Sequence, residues 1–255
     1  MISKSEIKYL NSLKHKKYRE IHSEFLIEGQ RIISSALEID NSIKTVFFTE
    51  RFKNSSSFKS VLEQIKKNRI PIKIVDEKTM NKITDTENPS GISAVCSLPK
   101  LKSSLNDFTC PGLFLDGISD PGNLGTICRT AAWFGVTNIV ISQDCVDPFN
   151  LKVVRGGMGA HFHLNFYRIP LKTLSEKNYE IIGADFSGIS LNDFKQKNEN
   201  NWILVLGNEA HGISNENRKY LNEVVSIPKQ GFGESLNVAV SAGVLLSSLA
   251  YSGTK

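Results

Sequence analysis

The sequence predicts an α/β protein in two parts, a small α/β domain over residues 1–100 and a larger one over 112–255 built on a mostly parallel sheet. Three observations carry that expectation. Short β-branched runs alternate with helical patterns along most of the chain, as they do when helices cover both faces of a parallel sheet. A polar stretch bracketed by prolines, "PKLKSSLNDFTCPG" (99–112), interrupts the alternation and reads as a linker centred on 101–111. The charge divides at the same place. Residues 1–100 hold 18 Lys and Arg against 12 Asp and Glu, and residues 101–255 hold 13 against 14.

In the first part, "EFLIEG" (24–29), "IKTVFFT" (43–49), "IPIKIV" (70–75) and "GISAVCSL" (91–98) read as strands. Helical periodicity fills 29–39 and 55–69. Beyond the linker, "GLFLD" is a strand, a helix runs from about 121 to 134, and "TNIVIS" is the next strand. "NFYRIP", "YEIIGAD", "WILVLG" and "EVVSIP" follow as further strands. His161 and His163 alternate in what reads as a strand. The chain closes on the apolar helix of "SLNVAVSAGVLL" (235–246), where Ser235 is a good helix cap and Asn237 is out of place among Leu, Val, Ala and Gly.

Composition sets the class. Apolar residues make up 40% and charged residues 22% of 255, the proportions of a soluble globular protein. The four cysteines are scattered without a C-x-x-C pair, which favours reduced thiols in a cytoplasmic protein over disulfides or zinc. The N-terminus carries lysines and an acid where a signal peptide needs an apolar core, and no apolar run is long enough to span a bilayer. A basic half joined to a neutral half suggests a polyanionic partner, and nucleic acid is the usual one. The densest basic cluster is "KHKKYR", Lys14 to Arg19.

Parallel sheets bind ligands where loops leave the carboxyl ends of their strands. Three such loops carry unusual residues. "LDGISDPGNLGTICRTAAWFG" (115–135) opens a helix whose apolar stripe is Leu124, Ile127, Cys128 and Ala131, with Arg129 off the stripe. "LVLGNEAHGIS" (204–214) runs an apolar strand into Gly207, Glu209 and Gly212. "SIPKQGFGESLNVAV" (226–240) leads into the last helix. No phosphate-binding loop, dinucleotide fingerprint, nucleophile elbow or metal-ligand spacing is present, and no metal is expected.

Taken together, N-x-x-x-x-x-R in "NLGTICR", G-x-E-x-x-G in "GNEAHG" and I-P…S-L-N-V in "IPKQGFGESLNV" resemble the SpoU/TrmH ribose methyltransferases of the SPOUT class, in order and spacing. "LKVVRGGMGAHFHL" (151–164) is similar to that family's intermediate block, and the N-terminal part to the small RNA-binding domain fused ahead of it. The resemblance implies a deep trefoil knot in the C-terminal domain that holds S-adenosylmethionine. It implies cofactor contacts at Leu206, Gly207, Ile227, Ser235 and Leu236. It assigns Arg129 to the reaction, with Asn123, Glu209 and Asn237 around it. The basic cluster, by its charge, makes Lys14, Lys16, Lys17 and Arg19 the expected RNA contacts, with Arg155 a further one. A homodimer and a ribosomal or transfer RNA substrate are implied as well. Lys229, Ala239 and Gly157 depart from the family pattern, and Lys229 and Ala239 keep a second reading open: a knotted RNA-binding protein with little or no turnover.

Overall fold

Strands of the first unit pair in the order β1-β4-β2-β3. They are β1 (Glu24–Glu28), β2 (Ile43–Phe48), β3 (Ile72–Ile74) and β4 (Ile92–Ser97). β4 runs antiparallel to both β1 and β2, while β3 joins β2 in parallel. The computed structural model describes residues 2–39, 42–198 and 200–251. The chain divides into two compact units, residues 1–100 with 147–162, and residues 101–146 with 163–255. The segment 147–162 thus groups with the first unit, inside the span that the sequence pattern runs without a break from 112 to 255.

Around the first sheet lie α1 (Lys4–Ser12), α2 (Lys16–His22), α3 (Gln30–Ile39), α4 (Glu50–Lys53), α5 (Phe58–Lys67) and α6 (Glu77–Ile83). Caps fix several starts. Ser3 accepts the Glu6 N–H ahead of α1, and Asp76 accepts the Thr79 N–H ahead of α6. The core joins Leu10 and Leu13 to Leu26, Phe47, Met80 and Ile83.

The second unit holds a six-stranded sheet in the order β10-β8-β9-β5-β6-β7, parallel throughout. Its first elements are β5 (Gly112–Asp116), α7 (Pro121–Trp133) and β6 (Asn138–Ile141). The chain then enters the first unit for α8 (Leu151–Gly157) and returns to the second at the end of a 3-10 turn, Ala160–His163. It completes the second unit with β7 (Asn165–Tyr167), α9 (Leu171–Ser175), β8 (Glu180–Ser190), β9 (Trp202–Gly207), α10 (Asn215–Arg218), β10 (Glu223–Ser226) and α11 (Val238–Tyr251). The central strands β9 and β5 are buried on both faces, which is why "WILVLG" and "GLFLD" read as continuous apolar runs.

Two local expectations are corrected. The pair His161 and His163 sits in the 3-10 turn, not in a strand. Met158 ends α8 in the left-handed region and Gly159 follows at φ +100°, so the backbone turns instead of extending. The cap of α11 is Asn237, not Ser235. The Asn237 Oδ1 accepts the N–H groups of Ala239 at 2.9 Å and Val240 at 3.3 Å. No described helix is long and apolar enough to cross a membrane. Among the described residues no disulfide joins the four cysteines. Burial pushes the Cys110 thiol up to about 12 and raises those of Cys128 and Cys145 as well, so these three stay protonated at neutral pH.

Candidate active site

Neighbouring strands bring two of the three loops together. Asp116, the last residue of β5, pairs in register with Gly207, the last of β9. The buried Asp116 carboxylate then accepts the Ser214 N–H at 2.8 Å, tying the far side of the second loop to the first strand. Gly207 is required by close approach. A Cβ there would stand 2.1 Å from the carbonyl carbon of Gly212. Gly212, at φ +67°, closes the turn by exchanging backbone hydrogen bonds with Asn208 at 2.8 and 3.0 Å.

Asn208 holds that turn from within. Its Oδ1 accepts the N–H groups of Ala210 and His211, and its Nδ2 donates to the Gly117 carbonyl at 2.7 Å. The residue between these anchors is Glu209, so its carboxylate is presented from a fixed turn. Sequence reasoning missed Asn208 and Asp116. The available signals were an amide between the glycine and the acid of "GNE", and an acid ending a buried strand.

The first loop is fixed by Asp120, which caps α7 by accepting the Asn123 N–H at 2.8 Å ahead of Pro121 in the first turn. This sets Asn123 at the mouth of the helix. Its Nδ2 donates to Glu209 Oε1 at 2.7 Å, and its Oδ1 accepts from Asn237 Nδ2 at 2.9 Å. The three motif residues therefore form one polar chain, Asn237 to Asn123 to Glu209, in which each donor meets an acceptor. One member comes from each of the three loops.

Arg129 lies on the exposed face of α7, opposite the buried Leu124, Ile127, Cys128 and Ala131, as the helical spacing requires. It stands six residues beyond Asn123, roughly 9 Å along the axis. No hydrogen bond joins the two, and among the described residues the Arg129 guanidinium has no acceptor. The structure leaves it available to a ligand.

The segment entering α11 has the character of a ligand loop. Ser235 is exposed, and Leu236 is 53% exposed although apolar. Among the described residues, no main-chain N–H from Lys229 to Leu236 has an acceptor. Leu206 is buried at the end of β9 and Ile227 is half-buried just past β10. Apolar side chains beside open backbone groups suit an adenosyl group, which needs flat apolar walls and a few placed hydrogen bonds. These residues fit S-adenosylmethionine. No group of three His, Cys, Asp or Glu able to hold a metal occurs among the described residues.

The expected RNA contacts separate. Lys16 and Lys17 are exposed, Lys16 in a loose 3.9 Å pair with Glu20. Lys14 instead ties α6 to the N-terminal helices, donating to the carbonyls of Lys82 at 2.9 Å and Thr84 at 2.6 Å. Arg19 is a correction. It is 2% exposed, its guanidinium donating to the carbonyls of Leu13 and Lys14 and forming an ion pair with Asp147. Such a side chain organises the fold and cannot reach a phosphate. Arg155 pairs with Glu28 at 2.8 Å, about a third of its side chain remaining exposed.

The SpoU rRNA Methylase family matches residues 112–247, and the MRM3-like substrate binding domain matches residues 4–94. The chain is 30% identical to RlmP of Bacillus subtilis, a 23S rRNA guanosine 2′-O-methyltransferase, across 94% of each chain. A protein assigned to the TrmH family of RNA methyltransferases from Porphyromonas gingivalis superposes with a TM-score of 0.84 at 30% identity, covering 98% of both chains. An AdoMet-bound rRNA methyltransferase from Sinorhizobium meliloti superposes with a TM-score of 0.83 at 25% identity, covering 98% of this chain and 96% of that one.

Proposed function

The chain belongs to the SpoU rRNA methylase family, and we propose that it methylates a ribose 2′-hydroxyl of ribosomal RNA at the site joined by Asn123, Glu209 and Asn237. It is an S-adenosylmethionine-dependent RNA ribose 2′-O-methyltransferase. The observation that carries the reading of the site is the hydrogen-bonded chain through one residue of each loop. Ribosomal RNA is favoured over transfer RNA because RlmP, similar over 94% of both chains, is named for 23S rRNA.

S-adenosylmethionine, when bound, supplies an activated methyl group. The protein's residues supply alignment for in-line attack by the ribose hydroxyl. Leu206, Gly207, Ile227, Ser235 and Leu236 hold the cofactor, largely through backbone atoms and apolar contact. Arg129 holds the ribose hydroxyl and its neighbouring phosphate. Its guanidinium stays protonated at ordinary pH, so positioning and charge are its part in the reaction. Glu209 and Asn237 fix the Asn123 amide and thereby the mouth of α7, on which Arg129 is carried. The knot expected of the SPOUT class holds the second and third loops against each other.

The functional protein is a homodimer in this reading. Trp133 on α7 is 82% exposed, and Val240 and Val244 on α11 are 53% and 39% exposed. These two helices pack together, and their exposed apolar side chains are candidates for contact with a second copy. A monomer mass by light scattering at micromolar concentration would remove that part of the proposal. The reaction itself is tested by mapping 2′-O-methyl sites in cellular RNA with and without the gene. Loss at a ribosomal RNA position is expected; an unchanged ribosomal pattern contradicts the proposed substrate.

A further inference from the structure

The first unit holds a cavity of about 370 Å³ between the start of α3, the loop ahead of β4 and the end of α8. That volume is in the range of small-ligand sites. Its lining has a consistent chemistry. Ile32 and Met158 supply apolar wall, Arg31 and Arg155 supply cations, and Thr86, Asn88 and Ser90 supply neutral polar groups.

Negative charge is kept out of the cavity or consumed. The loop "DTENPS" (85–90) alternates, with 86, 88 and 90 lining the cavity and the acids Asp85 and Glu87 outside the lining. Glu28 does line it, but both carboxylate oxygens are engaged. One accepts Arg155 at 2.8 Å, and the other accepts the Asp85 N–H at 3.1 Å. Arg31 is exposed and has no acceptor among the described residues. The N–H groups of Gln30, Arg31 and Ile32 also lack acceptors among them, because Gly29 stands where a capping side chain would.

We propose that this cavity receives one nucleotide of the substrate RNA, its phosphodiester held by Arg31 beside the Arg155–Glu28 pair and its base laid against Ile32 and Met158. The proposal rests on the reading of the protein as an RNA methyltransferase. It moves the principal RNA contact of the first unit away from the Lys14–Arg19 run and onto the start of α3.

The test uses the full chain, with Arg31→Ala, Arg31→Lys and Asn88→Asp variants shown to keep the wild-type melting temperature. The probe is a mixed-sequence 20-nucleotide single-stranded RNA carrying 4-thiouridine, titrated across a salt series, with GMP as a separate competitor. Arg31→Ala should weaken RNA binding about tenfold, the effect of one charged hydrogen bond. It should also flatten the salt dependence by about 0.7 log units per log unit. Arg31→Lys should restore the slope, Asn88→Asp should weaken binding, and cofactor affinity should not move. Crosslinks should fall in peptides spanning 28–32 or 86–90. Wild-type RNA affinity in Arg31→Ala and Asn88→Asp, with crosslinks elsewhere, overturns the cavity while leaving RNA methylation intact. GMP displacing the RNA at concentrations below those of the RNA itself marks a free-nucleotide site and also overturns it. If the wild type neither binds nor methylates RNA, the reading of function fails first and takes the cavity with it.

Discussion

Asn237 donates its side-chain amide to Asn123 across 2.9 Å while its own carbonyl oxygen caps α11. One side chain thus starts the last helix and ties the third loop to the first. The two tasks use different atoms, so substitution can separate them. Asn237→Asp keeps the capping oxygen and removes the donor to Asn123, so thermal stability should hold while turnover falls. Asn237→Ala removes both and should also cost about 1 kcal/mol of stability, the usual loss for a helix cap. Melting curves beside turnover measure this, and equal turnover in the wild type and Asn237→Asp would contradict the tie.

Arg129→Ala should reduce turnover by about 10²–10⁴-fold, the range for a positioned group acting at the reacting hydroxyl. Cofactor affinity should survive, because Arg129 is exposed on α7 and holds no part of the fold. Calorimetry beside a methyl-transfer assay decides it. Near-normal turnover would remove Arg129 from the reaction.

The basic run divides into two behaviours. Arg19→Ala should destabilise the first unit by about 3 kcal/mol, because it leaves Asp147 without its buried partner. The double variant Lys16→Ala with Lys17→Ala should leave stability alone and lower the RNA salt slope by no more than about 1.4. Denaturation and binding titrations together check both. An Arg19→Ala protein of wild-type stability with a flattened salt slope would reverse the assignment.

Much of this arrangement was legible in the sequence. The buried strands, the stripe of α7 and the order of the three loops follow from periodicity and motif spacing. The Asn237 cap did not, because Ser235 and Asn237 are both good capping residues and only the backbone decides which one precedes the first helical turn. Arg19 was misread for a related reason. Its partner Asp147 lies 128 positions away in a segment that joins the first unit, and a lysine-rich neighbourhood conceals one buried guanidinium. The turn held by Asn208 was equally hidden, since its bonds run to Gly117 in another loop.

His161 gives the first unit a pH dependence. Burial pulls its pKa down to about 4 from an ordinary value of 6.5, although the Pro148 carbonyl, 2.8 Å from Nε2, and the charge of Asp147 oppose the shift. The ring is therefore neutral in the folded state, with Nε2–H donated to Pro148. Between pH 6.5 and 4 the unfolded chain binds a proton that the folded one refuses. This contribution to stability is fully present above 6.5 and is lost as pH falls to about 4, a loss on the order of 3 kcal/mol. His161→Phe should flatten the stability curve across that window, as read by denaturant unfolding at successive pH values. An unchanged acid slope in the variant would show that other groups carry it.

The most direct measurement is the chemical identity of the product. Purified protein is incubated with methyl-labelled S-adenosylmethionine and ribosomal RNA from cells lacking the gene, and the RNA is digested to nucleosides. The label should appear in one 2′-O-methyl nucleoside, with transfer suppressed in Arg129→Ala. Label on a base, or no transfer to ribosomal RNA, would contradict the account.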